Sequence, residues 1–315
     1  MSAGVAHNWV YHSVMIRHVK LEGRIRTLEP LRVGMGRSEQ PSAVTDMPVI
    51  RIKELSRGLE VPYIPGSSLK GLFRSAAQSL ARAAGVRPEP CSGLSKDNCM
   101  VLKRVDGEQL GNLVDRLLRM GEFQRAINTF ADSACLLCKI FGSPTYKSKV
   151  SFIDSYPIDD GGQLVSVPVS VKTGIAIDRS TGAVFGGALY RVEFVEPGAL
   201  FTLSFTIHNL PNYALGLLSE IVELLNEGLL RVGGFKSRGF GRVKFEKVDI
   251  KVRHHLPISG SEEGLNALDS YDVPVMVKRS EVCDGLLVYS GSEAESLLKG
   301  LREVWRRYVS STGKS

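Results

Sequence analysis

The sequence predicts an α+β protein, and three observations lead to that prediction. Alternating apolar and polar residues, the pattern of half-buried strands, occur in three separate parts of the chain, at 9–25, 191–208 and 243–252. Between them lie two stretches with apolar residues at helical spacing, one after Ser68 and one around Leu218. A stretch of different composition, 86–148, holds four of the five cysteines, so we interpret it as a helical insertion.

The first elements are predicted to be strands followed by a helix. Trp9 to Ile25 alternate as a first strand does, and Met47 to Arg51 form a second, short strand. The segment 61–68 then leads into a helix, where a serine is expected to cap the exposed N–H groups. The apolar residues of that helix recur at helical spacing: Leu69, Leu72, Phe73, Ala76 and Leu80.

The middle of the chain is predicted to contain short helices and then strands. Two helical patterns lie in the insertion, and strand signals return afterwards, at 110–120, 123–130, 150–154, 165–172, 191–195 and 200–208. The segment 173–185 places the polar run Asp-Arg-Ser-Thr-Gly between two β-prone runs. That arrangement predicts a protruding hairpin.

The C-terminal part is predicted to supply a helix, a strand and a final helix. Apolar residues from Leu218 to Leu229 have helical spacing, the alternating run 243–252 completes the sheet, and Leu297 to Trp305 belong to a last helix. We therefore divide the chain into a main domain, an insertion and a peripheral C-terminal appendage, with these bounds: 10–85 together with 149–255, 86–148, and 256–315.

Composition and charge favour a soluble protein with a polyanionic partner. The 315 residues are 43% hydrophobic and 23% charged, which is ordinary for a globular protein. We find neither a run of about 18 apolar residues nor a secretion signal, so we expect a cytoplasmic protein that does not enter a membrane. The net charge is +7, and eight Lys or Arg lie at 231–253 against Glu246 and Asp249. Nucleic acid is the leading class of partner.

A glycine-rich, basic segment at 232–242 is the first candidate binding site. Glycines allow close approach of another molecule, while cationic side chains and a hydroxyl suit a phosphate or sugar-phosphate. A tight turn that is basic by chance is the alternative. The candidate residues are Gly233, Gly234, Phe235, Lys236, Ser237, Arg238 and Gly239.

The start of the predicted helix near Ser68 is a second candidate site for phosphate. The free N–H groups of a helix N-terminus attract anions, and Lys70 and Arg74 lie one turn apart on it. Ser67 and Ser68 supply hydroxyls at the same end. A capped helix with a solvated basic face is an equally good reading of this segment.

The cysteine spacing favours a structural zinc site in the insertion. Cys91 and Cys99 form one pair and Cys135 and Cys138 a second, C-x2-C pair, which is the bipartite pattern of such sites. A metal would supply folding energy to a segment too small for its own core. Ordinary buried thiols are one alternative, and a disulfide of the kind found in hyperthermophiles is another.

Two kinds of residue are candidates for RNA chemistry. Asp46 lies in a loop where a carboxylate could position a divalent ion or an attacking hydroxyl beside a phosphodiester. His12, His18 and His208 lie in strand regions, and a pair of imidazoles could cleave RNA without metal. Most loop aspartates are solvated, and most strand histidines have no catalytic role.

Five segments, in this order, resemble the RAMP superfamily of CRISPR-associated proteins, and more narrowly the repeated backbone subunit of type III effector complexes. They begin with Asp-Met-Pro-Val-Ile-Arg and end with the glycine-rich segment, and together they span about residues 10 to 250. The matching segments are 46–51, 63–71, 138–143, 172–179 and 233–241.

The resemblance implies a fold and an RNA partner. It implies a ferredoxin-like (RRM-like) palm that binds crRNA, in subunits that stack into a helical filament beside other CRISPR effector subunits. The hairpin that carries Asp178 and Arg179 would act as a thumb that separates bases at regular intervals. The helix start and the glycine-rich segment would contact the RNA backbone, and a zinc-bound insertion also occurs among these proteins.

The resemblance also implies a reaction. Asp46 matches the loop aspartate implicated in cleavage of the target RNA, with Mg²⁺ or a similar ion. The leading hypothesis is therefore a crRNA-binding backbone subunit that acts as an endoribonuclease on the paired target in antiviral defence. One alternative is a purely structural RNA-binding subunit, and another is a metal-independent crRNA-processing ribonuclease that uses a histidine.

Overall fold

The computed structural model describes residues 8–34, 45–55, 58–255 and 264–312. Within these ranges the seven α-helices are α1 Gly66–Ala83, α2 Cys99–Leu102, α3 Leu110–Arg119, α4 Phe123–Ser133, α5 Leu136–Phe141, α6 Asn212–Asn226 and α7 Gly291–Thr312. The strands are β1 Arg17–Thr27, β2 Arg51–Glu54, β3 Leu59–Pro62, β4 Arg104–Val105, β5 Glu108–Gln109, β6 Val150–Phe152, β7 Pro157–Ile158, β8 Val169–Ile177, β9 Val184–Val195, β10 Leu200–His208, β11 Val243–His254, β12 Gly264–Leu265, β13 Val275–Met276, β14 Glu281–Cys283 and β15 Leu286–Tyr289.

The main sheet has the ferredoxin-like arrangement. Its central strands lie in the order β11-β1-β10-β6, with every neighbouring pair antiparallel. Along the chain these strands and two helices follow one another as β1-α1-β6-β10-α6-β11. The α+β, ferredoxin-like prediction is therefore confirmed.

The core lies between the sheet and its helices. On β1, Val19, Leu21 and Ile25 are buried, because alternate residues of a strand point to the same face. The helices α1 and α6 pack against each other and against β6 and β11. The opposite face of β1 carries His18, Lys20 and other polar residues, so it is the open face of the sheet.

The last part of the chain packs into this same core. The strand β15 pairs with β11 and extends the sheet, and α7 packs along α6. Asp272 accepts hydrogen bonds from the N–H groups of Asn212 and Tyr213, at 2.9 and 3.2 Å, and so caps α6. Residues 264–312 thus lie against the sheet rather than apart from it, while the proposed domain bounds stay a prediction.

Three local predictions were wrong. The second strand was expected at 47–51, whereas β2 runs over Arg51–Glu54. Helix α1 follows Pro65 and begins at Gly66, whose N–H donates to Asp154 Oδ1 at 2.7 Å, so a distant aspartate replaces the expected serine cap. The first strand begins only at Arg17, because Asn209 Oδ1 accepts from the N–H groups of Ile16 and Arg17. Trp9 lies instead in a short 3-10 helix, Asn8–Val10.

The predicted hairpin is confirmed and is longer than expected. Strands β8 and β9 pair from Val169↔Val195 to Ile177↔Val184. At its tip, Asp178 Oδ1 accepts from the N–H groups of Ser180 and Thr181, at 2.7 and 3.2 Å, which is the geometry of an Asx turn. Large apolar side chains are exposed along it, including Ile177 at 61% and Phe185 at 62%.

No helix in the described ranges has both the length and the apolar character needed to span a membrane.

Candidate functional site

A groove of about 600 Å³ lies between α1 and the glycine-rich loop, which we define as residues 232–242. One wall is the exposed face of α1, where small residues leave the helix surface open. The other wall is the loop together with the segment that follows β1. The residues that line it and matter here are Arg32, Gly34, Ser68, Gly71, Ser75, Ser79, Gly233, Gly234 and Lys236. The structure thus brings two of the predicted binding segments together.

The glycine-rich loop is fixed on the segment after β1 by backbone hydrogen bonds. The N–H of Gly234 donates to Arg32 O at 2.8 Å, and the N–H of Gly241 donates to Pro30 O at 2.9 Å. Gly233 has φ +78°, and a Cβ there would lie 2.2 Å from Arg32 O. Only glycine therefore allows this close approach, which gives the groove its shape.

Two cationic side chains line the groove, those of Arg32 and Lys236. Lys236 begins the short 3-10 helix Lys236–Arg238 and is exposed. Lys70 is half-buried one turn before Arg74, outside the set of residues that line the groove. Burial lowers the pKa of Lys70, and the charge of Arg74 lowers it further. Arg32 and Lys236 are therefore the side chains that would stabilise an anion in the groove.

Other predicted binding residues lie near the groove without lining it. Ser67 is exposed in the first turn of α1, and Ser237 and Gly239 are exposed in the loop. At the hairpin tip, the carboxylate of Asp178 is used by its own turn, while the Arg179 side chain is exposed.

Arg74 lies elsewhere, against the cysteine cluster. Its guanidinium donates to Ser92 O at 3.0 Å and to Gly142 O at 2.9 Å, and its Nη2 lies 3.8 Å from Cys138 Sγ. These contacts occupy the guanidinium on the insertion side of α1. The structure therefore places Arg74 as a link between α1 and the insertion, and not on the groove.

The four cysteines of the insertion meet in one buried cluster. Their Sγ atoms all lie within 4.8 Å of one another. Cys91 Sγ is 3.7 Å from Cys135 Sγ and 3.3 Å from Cys138 Sγ, and Cys99 Sγ is 3.9 Å from Cys91 Sγ. Tetrahedral zinc with Zn–S bonds of about 2.3 Å places sulfurs about 3.8 Å apart. The donor set and its spacing fit such an ion.

The polar groups around the cluster fit thiolates. The N–H of Cys135 donates to Cys99 Sγ at 3.3 Å, and Arg74 brings a positive charge to Cys138. Hydrogen bonding between Cys135 and Cys138 lowers the pKa of Cys135 and raises that of Cys138, because one sulfur donates to the other. Four thiols packed this closely share protons that a metal ion would displace.

Asp46 is fixed to the base of the β8–β9 hairpin. Its Oδ2 accepts from the N–H of Arg191 at 2.7 Å, and the N–H of Met47 donates to Arg191 O at 3.1 Å. Glu193, the neighbouring carboxylate on β9, is paired with Arg51 at 2.9 Å. Among the described residues, only the four cysteines form a cluster able to hold a metal by themselves. A metal at Asp46 would therefore need further ligands from a bound phosphate and water.

Tyr190 and Arg32 were missed by the sequence analysis. Tyr190, next to Arg191, accepts a hydrogen bond from Arg238, whose guanidinium also lies 5.3 Å from the ring centroid of Phe235. Arg32 lies 5.5 Å from the same centroid and also lines the groove. No motif singles out a tyrosine in a hairpin strand, and the pairing of Tyr190 with Gly174 is visible only in the structure.

The predicted histidines are only partly brought together. His18 Nδ1 lies 2.8 Å from His255 Nε2, and the rings of His18 and His208 are 4.2 Å apart. His12 instead contacts Lys147 O at 3.0 Å. His18, His208 and His255 lie together at the start of β1. The groove adjoins the segment that follows the end of β1.

Comparisons with known proteins agree with this architecture. The chain is 28% identical over 273 residues to the "CRISPR system Cms endoribonuclease Csm3" of Methanocaldococcus jannaschii, a match that covers 80% of this chain and 92% of that protein. Residues 24–244 match the RAMP superfamily, a range that runs from within β1 into β11 and includes the groove, the cysteine cluster and the hairpin. The chain therefore belongs to the RAMP superfamily.

Proposed function

We propose that this protein is a crRNA-binding backbone subunit of a type III CRISPR effector complex and that it cleaves target RNA. The observation that carries the proposal is the groove, in which the N-terminal turns of α1 face the glycine-rich loop. The similarity to a CRISPR endoribonuclease over most of both chains supports the same class of function.

The groove would hold the sugar-phosphate backbone of the guide. Ser68, Gly71 and Ser75 offer a wall of small residues, and Gly233 and Gly234 leave the loop backbone open to close contact. Arg32 and Lys236 supply charge, so binding would depend on phosphates rather than on base sequence. A guide of any sequence could then be bound, as antiviral defence requires.

Asp46 would act at the scissile phosphodiester of the paired target. Its carboxylate is held by the N–H of Arg191 but is only half-buried, so it can face a bound RNA. It would position the attacking 2′-hydroxyl and take part in holding Mg²⁺ or a similar ion, which would stabilise charge on the phosphate. Because one carboxylate supplies few ligands, we expect slow cleavage that requires the ion.

The insertion and the hairpin would have structural roles in the complex. Zinc bound by Cys91, Cys99, Cys135 and Cys138 would fix the insertion to α1 through Arg74. The exposed apolar hairpin, with Ile177 and Phe185, would separate bases and contact a neighbouring copy in a filament. Arg179 at its tip could reach RNA.

The two alternatives predict different results. A purely structural subunit would bind guide and target but leave the target intact. A histidine ribonuclease has some support, since His18, His208 and His255 are adjacent, but this cluster lies at the opposite end of β1 from the groove-forming segment. Its cleavage would persist in EDTA, whereas cleavage that depends on Asp46 and a metal would stop.

The test of the binding site measures guide-RNA affinity as a function of salt. Each phosphate contact to a single strand contributes about −0.7 to the slope of log K against log salt. We expect Lys236→Gln to weaken binding and to reduce that slope by roughly one contact. Lys299→Gln, at an exposed lysine of α7 away from the groove, is the matched control. An unchanged slope in the groove variant would contradict the proposed site.

A further inference from the structure

The carboxylate of Glu193 contacts the segment that carries Asp46. Its Oε2 accepts a hydrogen bond from the N–H of Val49 at 3.1 Å and another from Arg51 Nη1 at 2.9 Å. The same Nη1 also donates to Val49 O, at 3.4 Å. Val49 follows Asp46 by three residues in the sequence, so these contacts hold the chain close to the candidate catalytic carboxylate.

These contacts lie inside the protein. Val49 is 2% exposed, and the side chains of Glu193 and Arg51 are 15% and 29% exposed. Pro48 has no N–H, so after Met47 the next backbone donor of the segment is that of Val49. A buried N–H that loses its acceptor costs free energy, and a carboxylate is a stronger acceptor than a neutral group. Removal of the Glu193 carboxylate would therefore release Val49 from β9.

Backbone hydrogen bonds hold the neighbouring residues of the segment. The N–H of Met47 donates to Arg191 O at 3.1 Å, and Met47 O accepts from the N–H of Glu193 at 3.0 Å. The N–H of Ile50 donates to Val33 O at 2.8 Å. Between these two anchors the segment is held by a side chain, that of Glu193. Substitution of this side chain therefore loosens the segment without removing a backbone hydrogen bond.

The segment lies between β9 and one wall of the groove. Val33 and Gly34 line the groove, Gly34 pairs with Val49 in an antiparallel bridge, and Val33 O accepts a hydrogen bond from the segment. The groove and Asp46 are therefore joined through this segment. Movement of Val49 would change the distance between the Asp46 carboxylate and a phosphodiester of RNA bound in the groove.

We propose that Glu193 is a positioning residue for cleavage of target RNA, because its carboxylate fixes the segment that carries Asp46 relative to the RNA in the groove. The inference rests on the proposed nuclease function and adds to it a residue that acts through Asp46. The Oε2 of Glu193 is occupied by Val49 and Arg51, so the phosphodiester is not its partner. A misplacement of about 1 Å in a reacting group can lower a rate about a hundredfold.

The test measures single-turnover cleavage of target RNA by the assembled, crRNA-loaded complex in saturating Mg²⁺, with target affinity measured separately. We expect Glu193→Ala to lower the cleavage rate about tenfold to a hundredfold, with target affinity within about twofold of the parent. Glu193→Gln keeps an oxygen that can accept from Val49 and Arg51. It should restore cleavage to within about threefold of the parent.

Hydrogen exchange of the full chain without RNA supplies a readout that does not depend on cleavage. The amide of Val49 should exchange about tenfold faster in Glu193→Ala than in the parent, and at nearly the parental rate in Glu193→Gln. Glu220→Ala is the matched control, since this carboxylate of α6 is 19% exposed and lies 3.4 Å from Arg306, away from the segment. It should behave as the parent in both measurements.

The outcomes separate this role from the nuclease function. Parental cleavage by Glu193→Ala would overturn the positioning role and leave the nuclease function standing. Equal losses of cleavage and target affinity, not restored in Glu193→Gln, would also overturn it, because they indicate general destabilisation. A parental complex that leaves the target intact would overturn the nuclease function and the positioning role with it.

Discussion

The Asp46 carboxylate accepts a hydrogen bond from the backbone N–H of Arg191, with 2.7 Å between Oδ2 and nitrogen. Tyr190, the residue before Arg191, accepts a hydrogen bond from Arg238 of the glycine-rich loop. One strand, β9, therefore contacts both the candidate catalytic carboxylate and the glycine-rich loop. A shift of this strand would move the two together, which keeps the carboxylate in register with the bound RNA.

Two glycines of the glycine-rich loop allow the destabilisation caused by a steric clash to be measured separately from that caused by positive φ. In Gly233→Ala the new Cβ would meet Arg32 O at 2.2 Å, whereas in Gly239→Ala nothing lies within 4 Å, and both residues have positive φ. Positive φ alone costs about 1–2 kcal/mol. We expect Gly239→Ala to lose that amount of unfolding free energy, and Gly233→Ala to lose more and also to bind RNA less tightly.

Urea unfolding and fluorescence anisotropy with a short RNA measure these two effects. Equal losses of unfolding free energy in the two variants would show that contact with Arg32 O does not set the loop conformation.

The Arg74 link predicts that a residue of α1 controls metal retention. Arg74→Met should remove the positive charge beside Cys138 and the hydrogen bonds to Ser92 O and Gly142 O, while keeping much of the side-chain volume. Loss of such supporting contacts typically weakens metal binding by about 10–100-fold. Competition with a chromogenic zinc chelator measures this change. Arg306→Met, an exposed arginine on α7 away from the cluster, is the control and should retain zinc as the parent protein does.

The cysteine cluster predicts one zinc ion per chain. Cys138→Ser should lower the metal content and the melting temperature, and lowering the pH should release zinc because thiolates become protonated. The exposed Cys283 is the matched control, and Cys283→Ser should leave both quantities unchanged. Elemental analysis of the purified chain gives the stoichiometry. Full zinc content in Cys138→Ser would contradict the assignment of the ligands.

The histidines on the open face of the sheet predict a loss of stability on acidification. Burial, followed by the charge of His208, lowers the pKa of His18. Its folded pKa is thus below its unfolded value of about 6.5, so the unfolded state binds more protons and stability falls as pH decreases from about 6.5. We expect His18→Gln to lose less stability than the parent between pH 7.5 and 5.

Urea titrations at the two pH values test this prediction. Comparison of the variant with the parent cancels the contribution of the carboxylates, which titrate in both. The same loss in the two proteins would show that His18 does not titrate differently on folding.

The sequence predicted the helices and strands in which apolar residues recur with a regular period. Strands β9 to β11, the helices α3, α4 and α7 and the β8–β9 hairpin have patterns of period 2 or 3.6 that packing reinforces. The cysteine cluster was predictable too, because C-x2-C spacing has a chemical reason that needs no tertiary information.

Long-range contacts account for what the sequence could not predict. The cap of α1 comes from Asp154, 88 residues away, so a serine at the helix start was the wrong candidate. The sequence places Arg74 on a basic helix face, but the fold brings the insertion against its side chain. Tyr190 carries no local signal, since its role depends on Arg238, 48 residues later.

The most direct test of the central claim is cleavage of target RNA by the assembled, crRNA-loaded complex that contains Asp46→Asn. Asparagine keeps an oxygen to accept from the N–H of Arg191 but removes the charge, so assembly and crRNA binding should not change. Asp115→Asn, on the surface of α3, is the control. We expect cleavage in Mg²⁺ to fall at least a hundredfold in Asp46→Asn alone. Undiminished cleavage by that variant would contradict it.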